Sequence, residues 1–443
     1  MSATERIAAL TLASFWIFLP AGFAQQTRTT IIHEEDPAEA ASRETVAKAQ
    51  AAMDRKDFAS AAKICADYLS KNPDDAAVHF QLGYADTALG KRDDAASEYR
   101  EAIENDPKMG PAYLNLGLIL LEEKPEKSGA LDEALSSLEQ ADELMPNQAK
   151  VKYALGLALE RSARRDDAIE SFRAALKLDA QDFPAQLELA RVLFSEEKFS
   201  DAEGEFRKAV ALKPDSGPAN YGLAECLLRG KKAGEAAADL EVYLRAQPKD
   251  ADARIERASI LTDLGRNDEA LAELDRAAAI RPESAATLKL RSLVEIRLQH
   301  NDAALATLQK LEAETPGDPE VHARLGHLLL EKKDYPGAAK ELAIAFRADS
   351  SQTEVLRDLL AANYLGGNYS AALDLLDLLA KREAPSNGSW FVRANCYDKL
   401  GRAQDALNTY RKFLELNAGQ TNDQYFMATA RVRVLERQVK EKK

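Results

Sequence analysis

The sequence predicts an all-α protein built as a solenoid of stacked helical hairpins, and three observations predict it. Apolar residues recur at i, i+4, i+7 and i+11 in short runs, the spacing that places them on one face of an α-helix. Prolines close successive segments at a constant distance: Pro73 and Pro107 lie 34 residues apart, as do Pro214, Pro248, Pro282 and Pro316. The chain has 443 residues, which is long for one hydrophobic core but ordinary for an array in which each unit needs only its neighbours.

The unit is clearest between Ala76 and Pro107. Val78, Leu82, Ala85 and Leu89 form one apolar face, and Ala95, Ala96, Tyr99, Ala102 and Ile103 form another. Gly90 ends the first helix, where a left-handed residue is easily tolerated. Asp93 or Asp94 is expected to cap the second helix, and Pro107 stops it. Gly83 and Ala95 are expected where the two helices touch. Neither helix buries its face alone, so copies must stack.

Before the array, residues 1–24 carry Arg6, an apolar run from Ile7 to Phe23 broken by Pro20, and small residues at Gly22 and Ala24. This is the pattern of a secretory signal peptide cut before Gln25. The alternative is an uncleaved membrane anchor, because the run is almost long enough to span a bilayer. Residues 25–41 are polar and read as a flexible linker.

Residues 42–418 hold the repeats. The second has Leu82-Gly83, Ala95, Tyr99, Ala102 and Pro107; the third has Leu116-Gly117, Ala134, Leu138, Ala141 and Pro146, with a five-residue insertion placed within 122–130. The fourth has Leu155-Gly156, Ala168, Phe172 and Ala175, and the ninth Leu325-Gly326, Ala338 and Leu342. This order of residues resembles the tetratricopeptide repeat family. The resemblance implies a right-handed superhelical α-solenoid of about eleven hairpins. The seventh and eighth repeats depart from the family pattern, with Arg257-Ala258 and Arg291-Ser292 at the Leu-Gly sites and Glu295 in place of a large apolar residue. Residues 419–443 read as a capping helix, with Tyr425, Ala428, Val432, Leu435 and Val439 on one face. Its other face carries Arg431, Arg433, Glu436, Arg437 and Lys440.

Composition and motifs exclude several functions. With 59 Lys+Arg against 73 Asp+Glu the net charge is −14, which argues against nucleic acid, since that affinity comes mostly from neutralising phosphates. No catalytic constellation, metal site or cofactor motif is readable; His322 and His327 are five apart, the wrong spacing for paired ligands on one helix face. The three cysteines, Cys65, Cys226 and Cys396, fall five repeats apart. Stacked helices separate them far beyond disulfide reach, so no intrachain disulfide is expected and all three should be buried.

In the tetratricopeptide family the first helix of each hairpin lines a concave groove. Carried onto this sequence, the resemblance places Phe80, Tyr84, Leu114, Asn115, Leu118, Tyr153, Leu187, Arg191, Phe194 and Tyr221 in the first half of the groove. It places Asp252, Glu256, Asp263, Lys289, Arg324, His327, Arg357 and Asp358 in the second half. An aromatic first half would anchor apolar side chains, whereas the polar second half would favour a basic partner. The expected function is a non-enzymatic protein–protein interaction scaffold, exported to the periplasm or secreted, holding a protein or peptide during assembly of an envelope complex. The alternative is a membrane-anchored accessory subunit of an export or biosynthetic machine.

Overall fold

The computed structural model describes residues 37–122, 129–419 and 422–441, and these form 23 helices and no strand. The signal-peptide or anchor segment, residues 25–36 of the expected linker and most of the expected insertion lie outside the described residues. Contacts divide the chain into two units, Met1–Pro248 and Lys249–Lys443. No helix among the described residues is long and apolar enough to cross a membrane.

In the first unit the helices are α1 (Pro37–Asp54), α2 (Phe58–Leu69), α3 (Ala76–Ala88), α4 (Arg92–Asn105), α5 (Gly110–Glu122), α6 (Ala130–Leu144), α7 (Ala149–Arg161), α8 (Arg165–Leu178), α9 (Phe183–Ser195), α10 (Phe199–Leu212), α11 (Gly217–Arg229) and α12 (Ala233–Ala246). The second unit holds α13 (Ala251–Asp263), α14 (Asn267–Ala278), α15 (Ala285–Arg297), α16 (Asn301–Glu314), α17 (Pro319–Glu331), α18 (Tyr335–Ala348), α19 (Thr353–Leu365), α20 (Tyr369–Ala380), α21 (Asn387–Lys399), α22 (Ala403–Leu416) and α23 (Asp423–Glu441). Helix α1 begins at Pro37, so residues 37–41 are helix and not linker; a proline is well placed in a first turn, where its missing N–H costs nothing.

Within each unit consecutive helices pack as antiparallel hairpins, and odd-numbered helices also touch the next odd-numbered one: α1 with α3, α5 with α7, α9 with α11, α13 with α15, α17 with α19. The odd helices therefore form one layer and the even helices the other. Five odd helices start from a side-chain cap two residues after a closing proline. Asp75 Oδ1 accepts from the Val78 N–H at 3.1 Å, and Ser216, Asp250, Ser284 and Asp318 cap in the same way. Even helices mostly have no such cap. Asp93 and Asp94 lie in the first turn of α4, whose N-cap residue is Lys91 with no side-chain bond. They act on the helix through their charge near its positive end, not as the expected caps.

In each of the ten odd-to-even turns that are fully described, one residue is left-handed. These are Lys56, Gly90, Ala163, Glu197, Lys231, Gly265, Gln299, Lys333, Gly367 and Gly401, all with φ between 58° and 81°. Gly90 is as expected; the six non-glycine residues show that the turn is imposed by packing of the hairpin, since an L-residue pays for that conformation. Gly83 lies against Tyr99 of the second helix of its own hairpin, where a Cβ would be 2.9 Å from Tyr99 Cε1, and Ala95 is fully buried. Gly222, one position before the expected Leu-Ala pair, lies against Phe206 of the preceding repeat, 2.3 Å from where its Cβ would be.

Candidate protein-binding groove

The layer of odd helices differs between the units. In the first, α3, α5, α9 and α11 are buried on nearly every side. In the second, α15, α17 and α19 each bury one side only. Among these helices, those of the second unit leave the more open face.

Of the ten residues expected in the first half of the groove, Phe80, Leu114, Asn115, Leu118, Tyr153, Leu187 and Tyr221 are buried. Tyr84, Arg191 and Phe194 are half-buried. The buried rings pack inside their own hairpins: Phe80 on Tyr99 with centroids 5.7 Å apart, Tyr153 on Phe172 at 5.9 Å, Tyr221 on Tyr243 at 4.9 Å. These residues are core, not exposed anchors, because the helix face assigned to the groove points at the neighbouring even helix. Asn115 donates its Nδ2 to Tyr99 Oη at 3.3 Å, while its buried Oδ1 has no partner among the described residues. Phe194 sits edge-on to Phe199 at 5.3 Å, with the Arg229 guanidinium 5.7 and 5.5 Å from the two rings. Arg191 is held by Glu188 of its own helix and lies 3.9 Å from Glu160. Burial pushes the Glu188 carboxyl upward against the pull of Arg191.

In the second unit a cavity of about 810 Å³ is lined by α15, α17, α19, the turn after α15 and Asn301 at the start of α16. Leu293, Ile296, Ala323, Leu328 and Val355 give it an apolar floor, and Arg324, His327, Glu331, Glu354 and Asp358 line its rim. The rim groups hold one another. His327 Nδ1 is 3.1 Å from Asp358 on the next repeat, and its Nε2 is 3.6 Å from Glu331. Asn301 donates to Glu331 at 2.8 Å, and Arg324 pairs with Glu320 at 2.6 Å. Glu354 remains largely exposed beside Arg357. Of the expected polar groove residues, the structure thus brings Arg324, His327 and Asp358 to one cavity. Leu293, Ile296 and Val355 were missed, because in the sequence they are indistinguishable from the buried apolar stripe of a helix.

The departures in the seventh and eighth repeats are compensated by charge. Arg254 and Arg257 each donate to Glu273 on α14, at 2.7 and 2.8 Å, and Arg276 adds a third bond at 2.6 Å. In the eighth repeat Arg291 bridges Asp275 and Glu283. Burial raises the Glu295 carboxyl, a hydrogen bond from Thr307 opposing it, and its Oε2 has no partner among the described residues.

A further polar clasp recurs at i and i+19. His79 Nδ1 is 2.6 Å from Glu98 and its Nε2 2.6 Å from the Pro73 carbonyl; His322 repeats this with Glu341 at 2.7 Å and Pro316 at 3.2 Å. Gln186 bonds Glu205 from the same position. Glu312, His322 and Glu341 also bring three potential metal-ligand atoms within 4.8 Å of one another. Both ring nitrogens of His322 are already engaged there, and the recurrence in other repeats marks the arrangement as part of the hairpin. Cys65, Cys226 and Cys396 are buried, as expected. Burial pushes their thiols up to about 12, 12 and 11, which leaves them unreactive.

Family profiles described as tetratricopeptide repeat match residues 153–217, 187–251, 232–285, 255–319, 289–353 and 323–388, and others match 52–117 and 388–420. The chain belongs to the tetratricopeptide repeat family. Its repeats make it a protein–protein interaction scaffold. Among solved structures it is similar to a fragment of MamA from Desulfovibrio magneticus RS-1, with 21% identity over 39% of this chain and 96% of that one and a TM-score of 0.36. A tetratricopeptide repeat protein from Parabacteroides merdae aligns at 19% identity over 58% and 99%, TM-score 0.40. PilF of Pseudomonas aeruginosa aligns at 22% over 51% and 98%, TM-score 0.37. Likeness of this degree says nothing of a partner. No curated protein matches the chain.

Proposed function

We propose that this tetratricopeptide repeat protein is a non-enzymatic scaffold that holds a segment of a partner protein in the groove of α15, α17 and α19. The observation that carries the reading is the cavity whose apolar floor is rimmed by three acids, Glu331, Glu354 and Asp358, against Arg324 and His327. Such a site suits an apolar side chain flanked by basic residues: the floor supplies burial, and the acids supply orientation and encounter rate. Burial of Phe80, Tyr153 and Tyr221 favours this groove over the aromatic first half of the array, where only Tyr84 and Phe194 keep partly exposed rings. A display library of short peptides tests the reading. Enriched sequences should pair an apolar residue with Lys or Arg, and Asp358→Arg should weaken them by 10-fold or more. Peptides whose affinity survives Asp358→Arg but falls with Tyr84→Ala and Phe194→Ala would return the site to the first unit.

We further propose export, with residues 1–24 removed as a signal peptide, and a role in assembling an envelope complex. The pattern of Arg6, the Ile7–Phe23 run and Gly22/Ala24 supports it. The same run supports the second reading, a membrane-anchored accessory subunit. The intact mass of the protein from its native source separates them: loss of about 24 residues means cleavage, and a retained segment means an anchor.

A further inference from the structure

Helix α23 packs on α22, with Ala428 and Leu435 buried and Val432 and Val439 against the same cluster. The expectation of a purely charged opposite face is not met. Phe426, Met427 and Val434 stand 59%, 55% and 42% exposed, leaving apolar surface in water that burial against a partner would stabilise. Ala430 is exposed between them.

The order of residues along this face is symmetric. Phe426 and Val434 lie four residues to either side of Ala430; Asp423 and Arg437 lie seven to either side. At about 100° per residue all four fall within roughly 40° of the Ala430 direction. They therefore form one stripe, opposite the face buried on α22. A stripe of this kind is complementary to itself reversed. Laid antiparallel across a two-fold axis at Ala430, Phe426 of one copy meets Val434 of the other, and Asp423 meets Arg437. Ala430 at the crossing is small enough for the two helices to approach closely. A two-fold contact needs this property, that the same patch serves both subunits.

We propose that α23 is a self-association surface, through which two copies of this chain pair by antiparallel stacking of their α23 helices. The occupant is a second copy because the charges at the two ends of the stripe are opposite in sign and equally distant from its centre. One helix per copy makes a small interface, at the low end of specific contacts, below about 1,200 Å² in total. The association is accordingly reversible, with a dissociation constant of about 1–100 μM. It lies away from the α15–α19 cavity and does not depend on what that cavity binds.

Sedimentation equilibrium of the full chain across that concentration range tests the proposal. The expected result is a mass that rises toward twice 48.6 kDa. Phe426→Asp should abolish the rise while leaving the thermal melt unchanged, since that side chain is exposed. Asp423→Arg and Arg437→Asp should each weaken association by 10-fold or more, and the double exchange should restore it. Ala430→Cys should form an interchain disulfide under mild oxidation, because the crossing brings the two Cα atoms within bonding reach. The native thiols are buried and give no background. A monomer at every concentration, an association indifferent to Phe426→Asp, or a double exchange that restores nothing would overturn it. So would a dimer that Ala430→Cys fails to cross-link.

Discussion

At Ala163 the chain turns from α7 to α8 with φ at +59°. An L-residue there costs about 1–2 kcal/mol, and glycine relieves this against a smaller loss from the freer unfolded chain. Ala163→Gly is expected to raise stability by about 0.5–1 kcal/mol in urea unfolding; an unchanged or lower midpoint would show the turn to be unstrained. Gly83→Leu acts in the other direction. Its side chain would enter the Tyr99 ring, and a loss of about 1–3 kcal/mol is expected. His79 supplies a dependence on pH. Burial lowers its pKa, but the Glu98 carboxylate and the Pro73 carbonyl outweigh this, and the folded value is raised. The stabilisation is thus complete below the unfolded value, about 6.5, and is lost as pH rises through the higher folded one. The melting temperature should fall over that interval by more in the wild type than in His79→Gln, whose neutral amide retains a donor for Glu98. Identical slopes in the two proteins would remove His79 from the account.

At the scale of the element, the hairpin α13/α14 gathers three arginines on one carboxylate, Glu273. Glu273 is the shared acceptor for two buried arginines. Glu273→Ala leaves both charges without their common partner and should cost about 3–5 kcal/mol. Hydrogen exchange would show the loss concentrated in 251–278, and protection unchanged in that segment would refute the cluster's importance. Replacing Arg254, Arg257 and Glu273 together by apolar residues of similar volume should cost far less. Helix α23 covers Phe413 and Tyr410 through Ala428 and Leu435. Its removal, residues 419–443, is expected to fray α21 and α22, seen as faster exchange in 387–416, because a solenoid unit without its neighbour exposes an apolar face.

For the whole molecule the two units differ in how their odd helices are buried. In the first α3, α5, α9 and α11 are buried on nearly every side; in the second α15, α17 and α19 line a cavity edged by Glu331, Glu354 and Asp358 together with Arg324 and His327. Binding of a basic peptide in the second unit should weaken steeply between low salt and about 1 M, where the screening length falls to about 3 Å. It should be indifferent to Tyr84→Ala beyond any general loss of stability. A flat salt response measured calorimetrically would contradict the acidic rim as the determinant.

The class of fold, the 34-residue ruler, most helix boundaries and the burial of the cysteines were legible in the sequence, because they depend on local spacing: apolar residues at helical period, a proline at each hairpin's end, a small residue under Tyr99 or Phe172. Membership of the family follows from the same local order. What faces the groove was not legible. Phe80 and Tyr153 look like anchors in the sequence but are buried, whereas Leu293 and Ile296 look like core but are only half-buried and line the cavity. Exposure of a helix face is set by how closely the next odd helix stacks on it, and no residue in a single repeat records that distance. The same reason hides the second face of α23 and the way Glu273 rescues Arg257 from 16 residues away. Sequence period decides which residues share a face. Only the packing of one repeat on the next decides whether that face meets protein or water.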